Sequence, residues 1–267
     1  MYKRFNLLMN NSDSLYSNNI QSYYDDGLEF LSKIKKSVGL DLALDDHDLR
    51  SSDNISGDEI RDKWFPQFNF DVFLSHSHQD EKMAIALAGW LKHNFDLDAF
   101  IDSTVWGYCD ELLGKLDNAY CRSGDHTYSY EKRNKTTSHV HMMLSSALTK
   151  MLDQTECVIF LNTDHSIPEE RVINGNEVNN TYSPWIYHEL LMSTTLEVKL
   201  PNRLYQSESR STQYYNFDRE ITYNTAPYLH KMQKLYSNDL LEWQQSSKLV
   251  KGDLSLDILY SIAKKSI

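Results

Sequence analysis

The sequence predicts an α/β protein: a doubly wound parallel sheet with a helical N-terminal extension over 1–66 and a helical insertion after its second strand over 103–138. Three observations carry this reading. Short apolar runs without a helical stripe occur at 71–75, 98–102 and 157–161, the pattern of strands buried on both faces. A helical period through Ala84, Leu87, Ala88 and Leu91 joins the first run to the second, which makes a strand–helix–strand unit. The 267 residues, 40% hydrophobic and 24% charged, suffice for a well-filled core.

Taken in order, the extension opens Asn- and Ser-rich. It then sets Leu28, Leu31, Ile34 and Val38 on one helical face, with Gly39 as the stop. Residues 41–60 are acidic and polar and end on a Ser56-to-Glu59 capping spacing. The main domain spans 67–267. After the strand at 71–75, Asp80 is placed as an N-cap or first-turn acid for a helix over 81–93. The insertion holds a helix over 108–120 on Leu112, Leu113 and Leu116, followed by a polar loop over 121–138. A helix over 139–153 shows Met143, Leu144, Ala147, Leu148 and Met151 on its apolar face. Beyond the strand at 157–161, a polar loop containing Gly175 leads to a helix that starts at Ser183-Pro184-Trp185 and turns Ile186, Leu190 and Leu191 inward. In the C-terminal part, 201–267, residues 221–223 read as a strand, 227–243 as helical, and 254–265 as an amphipathic helix.

Charge and composition narrow the function. Lys+Arg 27 against Asp+Glu 38 gives a net charge of −11, which disfavours electrostatic binding to nucleic acid or anionic membranes. No apolar run reaches the ~20 residues needed to cross a bilayer. The N-terminal residues lack a secretory pattern. Three scattered cysteines fit a reducing, cytoplasmic location better than a disulfide framework. The nine glycines never form GxGxxG or a Walker loop, which excludes Rossmann dehydrogenases, P-loop NTPases and protein kinases. His76/His78 and His139/His141 lack the partner spacing of a zinc site, so no metal is expected.

Ligands of such a sheet bind beyond the carboxyl ends of its strands. That brings together Ser75-His76-Ser77, the segment from Asp102 to Trp106, and 162–164. The helix from Ser183 starts at the same edge, with Trp185 and Glu189 four residues apart on one flank. At these positions the chain resembles the Toll/interleukin-1 receptor (TIR) family, which has a flavodoxin-like sheet. Phe70-Asp71-Val72-Phe73-Leu74-Ser75-His76 with Asp80 is similar to the family's first box. Ala99–Asp102 and Val158–Leu161 are similar to its second and third strands. Ser183-Pro184-Trp185-Ile186-Tyr187-His188-Glu189-Leu190 is similar to its Ser-x-Trp-x-x-x-Glu-Leu helix start. The resemblance covers roughly 70–200; the enlarged 103–138 connection and the part after 200 depart from it.

The resemblance implies a bacterial-type enzyme that consumes NAD+ as substrate, without a cofactor, by cleaving the nicotinamide–ribose bond. It places Glu189 as the catalytic residue and Ser75, His76, Asp102, Trp106 and Trp185 as substrate-binding. It further implies homotypic self-association and an ADP-ribose-type product, hydrolysed or cyclised, that acts on a downstream effector in anti-phage immunity. Two other readings stand beside it: a non-catalytic TIR scaffold acting by homotypic contacts, and a nucleoside-processing transferase on a similar sheet. The insertion at 103–138 is either a lid on its own domain or a contact to a second copy.

Overall fold

The computed structural model describes residues 1–9, 20–37, 56–106, 109–124, 127–173, 176–201, 203 and 223–265. The first half of the chain forms β1 (Lys3–Leu8), α1 (Ile20–Ser37), α2 (Gly57–Trp64), β2 (Val72–Ser75), α3 (Glu81–Phe95), β3 (Ala99–Phe100), α4 (Asp102–Val105) and α5 (Cys109–Tyr120). A hairpin, β4 (Arg122–Gly124) and β5 (Thr127–Tyr128), leads into α6 (Tyr130–Gln154) and then β6 (Cys157–Asn162). The remainder is β7 (Glu169–Ile173), β8 (Asn176–Thr181), α7 (Pro184–Thr195), β9 (Tyr223–Asn224), α8 (Ala226–Leu229), β10 (Gln233–Tyr236), α9 (Ser237–Ser246) and α10 (Asp253–Lys265). Two compact units result. One gathers Met1–Phe30, Asn69–Ile101 and Leu152–Ile267; the other gathers Leu31–Phe68 and Asp102–Met151.

The first unit is built on a five-stranded, all-parallel sheet in the order β10-β1-β6-β2-β3. Residues 157–161 of β6 are fully buried at its centre, because strands covered on both faces must be apolar throughout. Phe160 packs with Ile186 and Leu190 of α7 and with Leu229 and Met232 on one face. On the other face Phe5 stacks on Tyr260 of α10, while Trp90 and Phe95 of α3 meet Trp243 of α9. The protein is thus an α/β fold with a parallel sheet between helices. Leaving β2, the chain moves outward to β3 and then returns across it to β6, so the order reverses between β2 and β6. In open α/β sheets such a reversal marks the crevice, at the strands' carboxyl ends, where ligands bind.

The sheet differs from expectation at both ends of the chain. Residues 3–8, expected inside a helical extension, are instead an inner strand between β6 and β10. Phe5 and Leu7 fill one face, and Arg4 and Asn6 look to the other. The Arg4 guanidinium donates to the carbonyls of Ser193 at 2.9 Å and Lys231 at 3.3 Å, which satisfies a cation that a strand reading would have rejected. Residues 227–243, expected helical throughout, include the edge strand β10. An edge strand needs little apolar surface, and here only Leu235 is buried. The 121–138 segment is the β4–β5 hairpin and the first turns of α6 rather than a loop. Asp117 of α5 holds those turns, accepting from Arg133 at 2.8 Å and Thr136 at 2.6 Å. The polar segment with Gly175 is flanked by the antiparallel β7–β8 pair.

Other expectations meet direct outcomes. Ser56 caps α2, its hydroxyl accepting from the Glu59 N–H at 3.3 Å. On α1, Leu31 is buried but Leu28 is exposed, because the contact face is centred on Gly27. There α1 approaches the backbone of α3 at Ile85 more closely than any side chain allows, and Gly89 of α3 approaches Tyr23 in the same way. Val38, Gly39 and Ile221 lie outside the described residues. Among those residues no helix is long and apolar enough to cross a membrane.

Candidate active site

The crevice is lined first by α7. Ser183 is its N-cap, in extended conformation, and its hydroxyl accepts the Ile186 N–H at 3.3 Å; Pro184 occupies the first helical position. Both devices fix where the helix begins. Ile186 and Leu190 anchor the helix on Phe160 and Ile167. Glu189 lies between them in phase and is carried to the side of the apolar stripe, toward β2. There the Ser75 hydroxyl, at the last position of β2, donates to Glu189 Oε2 at 2.5 Å. Both residues are buried, Glu189 to 5% exposure. A carboxylate is held out of water at this depth only when charge-assisted hydrogen bonds replace its hydration.

His76 follows Ser75 and is also buried, and neither ring nitrogen has a hydrogen-bond partner among the described residues. A buried polar group left unmatched costs about 1–3 kcal/mol, so such groups concentrate where a ligand or water completes them. Asn6 Oδ1 is unmatched in the same way. Ser75, Phe160 and Asn6 lie in one register row across β2, β6 and β1. Trp185 is half-buried in the first turn of α7, one helical turn before Glu189.

Asp102 and Trp106 belong to the second unit. Asp102 heads α4, and its carbonyl accepts the Trp106 N–H at 3.0 Å. Trp106 is buried edge-on to Phe65, and its indole donates to the Pro66 carbonyl at 2.8 Å. These contacts give Trp106 a packing environment within its own unit.

A second polar cluster sits at the same strand ends of the first unit. Asp80 occupies the N-cap position of α3, yet its side chain makes no cap hydrogen bond. One carboxylate oxygen accepts from the Thr163 hydroxyl at 2.5 Å, and the other meets His165 Nδ1 at 2.7 Å. Asp80 is buried, whereas 44% of the His165 side chain is exposed. The turn after β6 is further held by Ser166, whose hydroxyl accepts the Thr163 N–H at 2.9 Å. The hydrogen bond to Asp80, helped by the charges of Asp80 and Asp164, raises the His165 pKa above its ordinary value. Sequence reasoning placed Asp80 at the start of a helix and the 162–164 segment at the crevice but passed over His165. The only available signal was its position three residues past a strand end.

Cysteine chemistry is disfavoured throughout. Burial pushes the Cys109 thiol up to about 11, raises Cys121, and lifts Cys157 well above its usual range, so none is an activated thiolate. Among the described residues no three His, Cys, Asp or Glu side chains are grouped to hold a metal ion. Comparison with protein-family models, curated proteins and solved structures gives no match.

Proposed function

We propose that this crevice cleaves the nicotinamide–ribose bond of NAD+, the reaction that the resemblance to TIR enzymes implies. The observation that carries the reading is Glu189: a buried carboxylate, oriented by Ser75, at the point where the strand order reverses. Nicotinamide departs as a neutral molecule, so its leaving needs no acid. The barrier is instead set by positive charge growing on the ribose ring. A fixed carboxylate in a dry site opposes that charge at no reorganisation cost. His76 supplies unmatched ring nitrogens for a polar group of the substrate, and the half-buried Trp185 presents an aromatic face to a base. In this reading the partners are NAD+, a second copy of the chain, and an effector that responds to the product.

The test is to incubate the purified chain with NAD+ and follow free nicotinamide by chromatography. Glu189→Gln keeps the size and the hydrogen bond from Ser75 but removes the charge. It is expected to lower turnover by ~10²-fold or more with little change in melting temperature. A folded Glu189→Gln protein that releases nicotinamide at the native rate removes Glu189 from the mechanism. No release by the native chain at high concentration favours the scaffold reading.

A further inference from the structure

The cleavage step uses the charge of Glu189 but leaves a second requirement open. The water that captures the ribose must lose a proton, and a carboxylate that accepts it forfeits the charge opposing the ring cation. A separate base lets Glu189 stay charged until the new bond is complete, as in glycosidases that divide these tasks between two groups.

The Asp80–His165 pair has the arrangement of such a base. Asp80 is buried and fully engaged, with Thr163 on one oxygen and His165 Nδ1 on the other. In the neutral ring this leaves the proton on Nδ1 and the lone pair on Nε2. Only the carboxylate end of the pair is buried; the imidazole is partly open to solvent. Placement agrees. Asp80 follows β2 and His165 follows β6, the two strands that flank the crevice. Ile167, two residues past His165, packs on Ile186 and Leu190, the neighbours of Glu189 on α7.

We propose that His165, held by Asp80, is the general base of this crevice and takes the proton of the attacking water. The proposal rests on the NAD+-cleaving reading above. In the step, the C1′–N bond breaks and its electron pair leaves with neutral nicotinamide. A water oxygen donates a pair to C1′, and its proton passes to His165 Nε2 and then to solvent. NAD+ and water thus give ADP-ribose, nicotinamide and one proton. His165 is the catalytic residue in this account, and Asp80 and Thr163 are positioning residues.

A purely mechanical role, tying the turn after β6 to the turn after β2, is separated by the choice of substitution. His165→Asn retains an amide donor where Nδ1 meets Asp80 but has nothing in place of Nε2. The expected result is a folded protein whose melting temperature is close to native at alkaline pH, where the charge of His165 no longer adds stability, with KM for NAD+ within about threefold and kcat lower by ~10²-fold. His165→Ala forms the second arm: added imidazole restores part of its lost kcat, which no mechanical tie would allow. Native kcat in folded His165→Asn, or a loss in His165→Ala that imidazole leaves unchanged, overturns the proposal while Glu189 keeps its role. No nicotinamide from the native chain overturns both.

Discussion

Gly89 of α3 is the position where the smallest addition should cost the most. A Cβ there would lie 1.9 Å from the Tyr23 carbonyl oxygen and 2.7 Å from the Gly27 nitrogen; from the other side, a Cβ on Gly27 would lie 2.2 Å from the Ile85 carbonyl oxygen. All three obstacles are backbone atoms and cannot rotate aside. Ordinary contact begins near 3.4 Å, so Gly89→Ala must drive α1 and α3 apart by about 1.5 Å, far beyond what a packed interior absorbs. That movement also loosens the flanking contacts: the Tyr23–His93 ring pair at 5.6 Å, Lys82 over Tyr24 at 5.3 Å and Lys92 over Phe30 at 5.6 Å. Overpacking of this kind costs ~1–3 kcal/mol, with the upper end expected against backbone. Alanine returns ~1 kcal/mol of helix propensity. The net expectation is a loss of about 2 kcal/mol, a fall in melting temperature of roughly 4–8 °C for a chain of this size. Urea unfolding followed by circular dichroism, with calorimetry alongside, reads both quantities. A Gly89→Ala protein as stable as the native chain refutes the close crossing of these helices.

Gly114, inside α5, is the opposite case. An added Cβ meets nothing within 4 Å, so Gly114→Ala should stabilise by ~0.5–1 kcal/mol through helix propensity and a less flexible unfolded chain; denaturant midpoints of the two alanine variants should move in opposite directions. The Asp80–His165 contact should make stability depend on pH. Because the folded pKa of His165 is raised above 6.5, its contribution is fully present below about pH 6.5 and is lost as pH rises through the folded value. The gap in melting temperature between the native chain and His165→Asn should therefore narrow from about pH 6 to about pH 8.5, and a gap that widens would contradict the pairing.

The parts of the fold legible in the sequence are those whose chemistry is local. β2 and β6 are apolar on both faces, and α3 repeats its buried residues every turn, so each announces itself within a short window. α7 was legible through its cap, because Ser183 and Pro184 act on the turn directly ahead of them. β1 was not legible: Arg4 belongs in a strand only because carbonyls some 190 and 230 residues away accept from it. β10 hid for the opposite reason, since one buried leucine is enough at a sheet edge. The site follows the same division. Glu189 stood out by its spacing from Trp185, but its bond to Ser75 joins residues 114 positions apart. Asp80 stands at the helix start expected of it, but its bond to His165 was not legible, because capping is a local expectation and His165 lies 85 positions downstream.

The inner position of β1 sets a schedule for synthesis. Residues 3–8 are synthesised well ahead of their sheet neighbours, residues 157–162 on one side and 233–236 on the other. Until those neighbours are made this segment lacks its sheet partners, and both its edges offer unpaired amides and carbonyls to any other chain. Closure must then wait for the late arrival of β10, so pairing is dominated by distant partners and folding is expected to be slow. A nascent chain in this state has reason to engage a chaperone at residues 3–8, well before the crevice that holds Glu189 has been made.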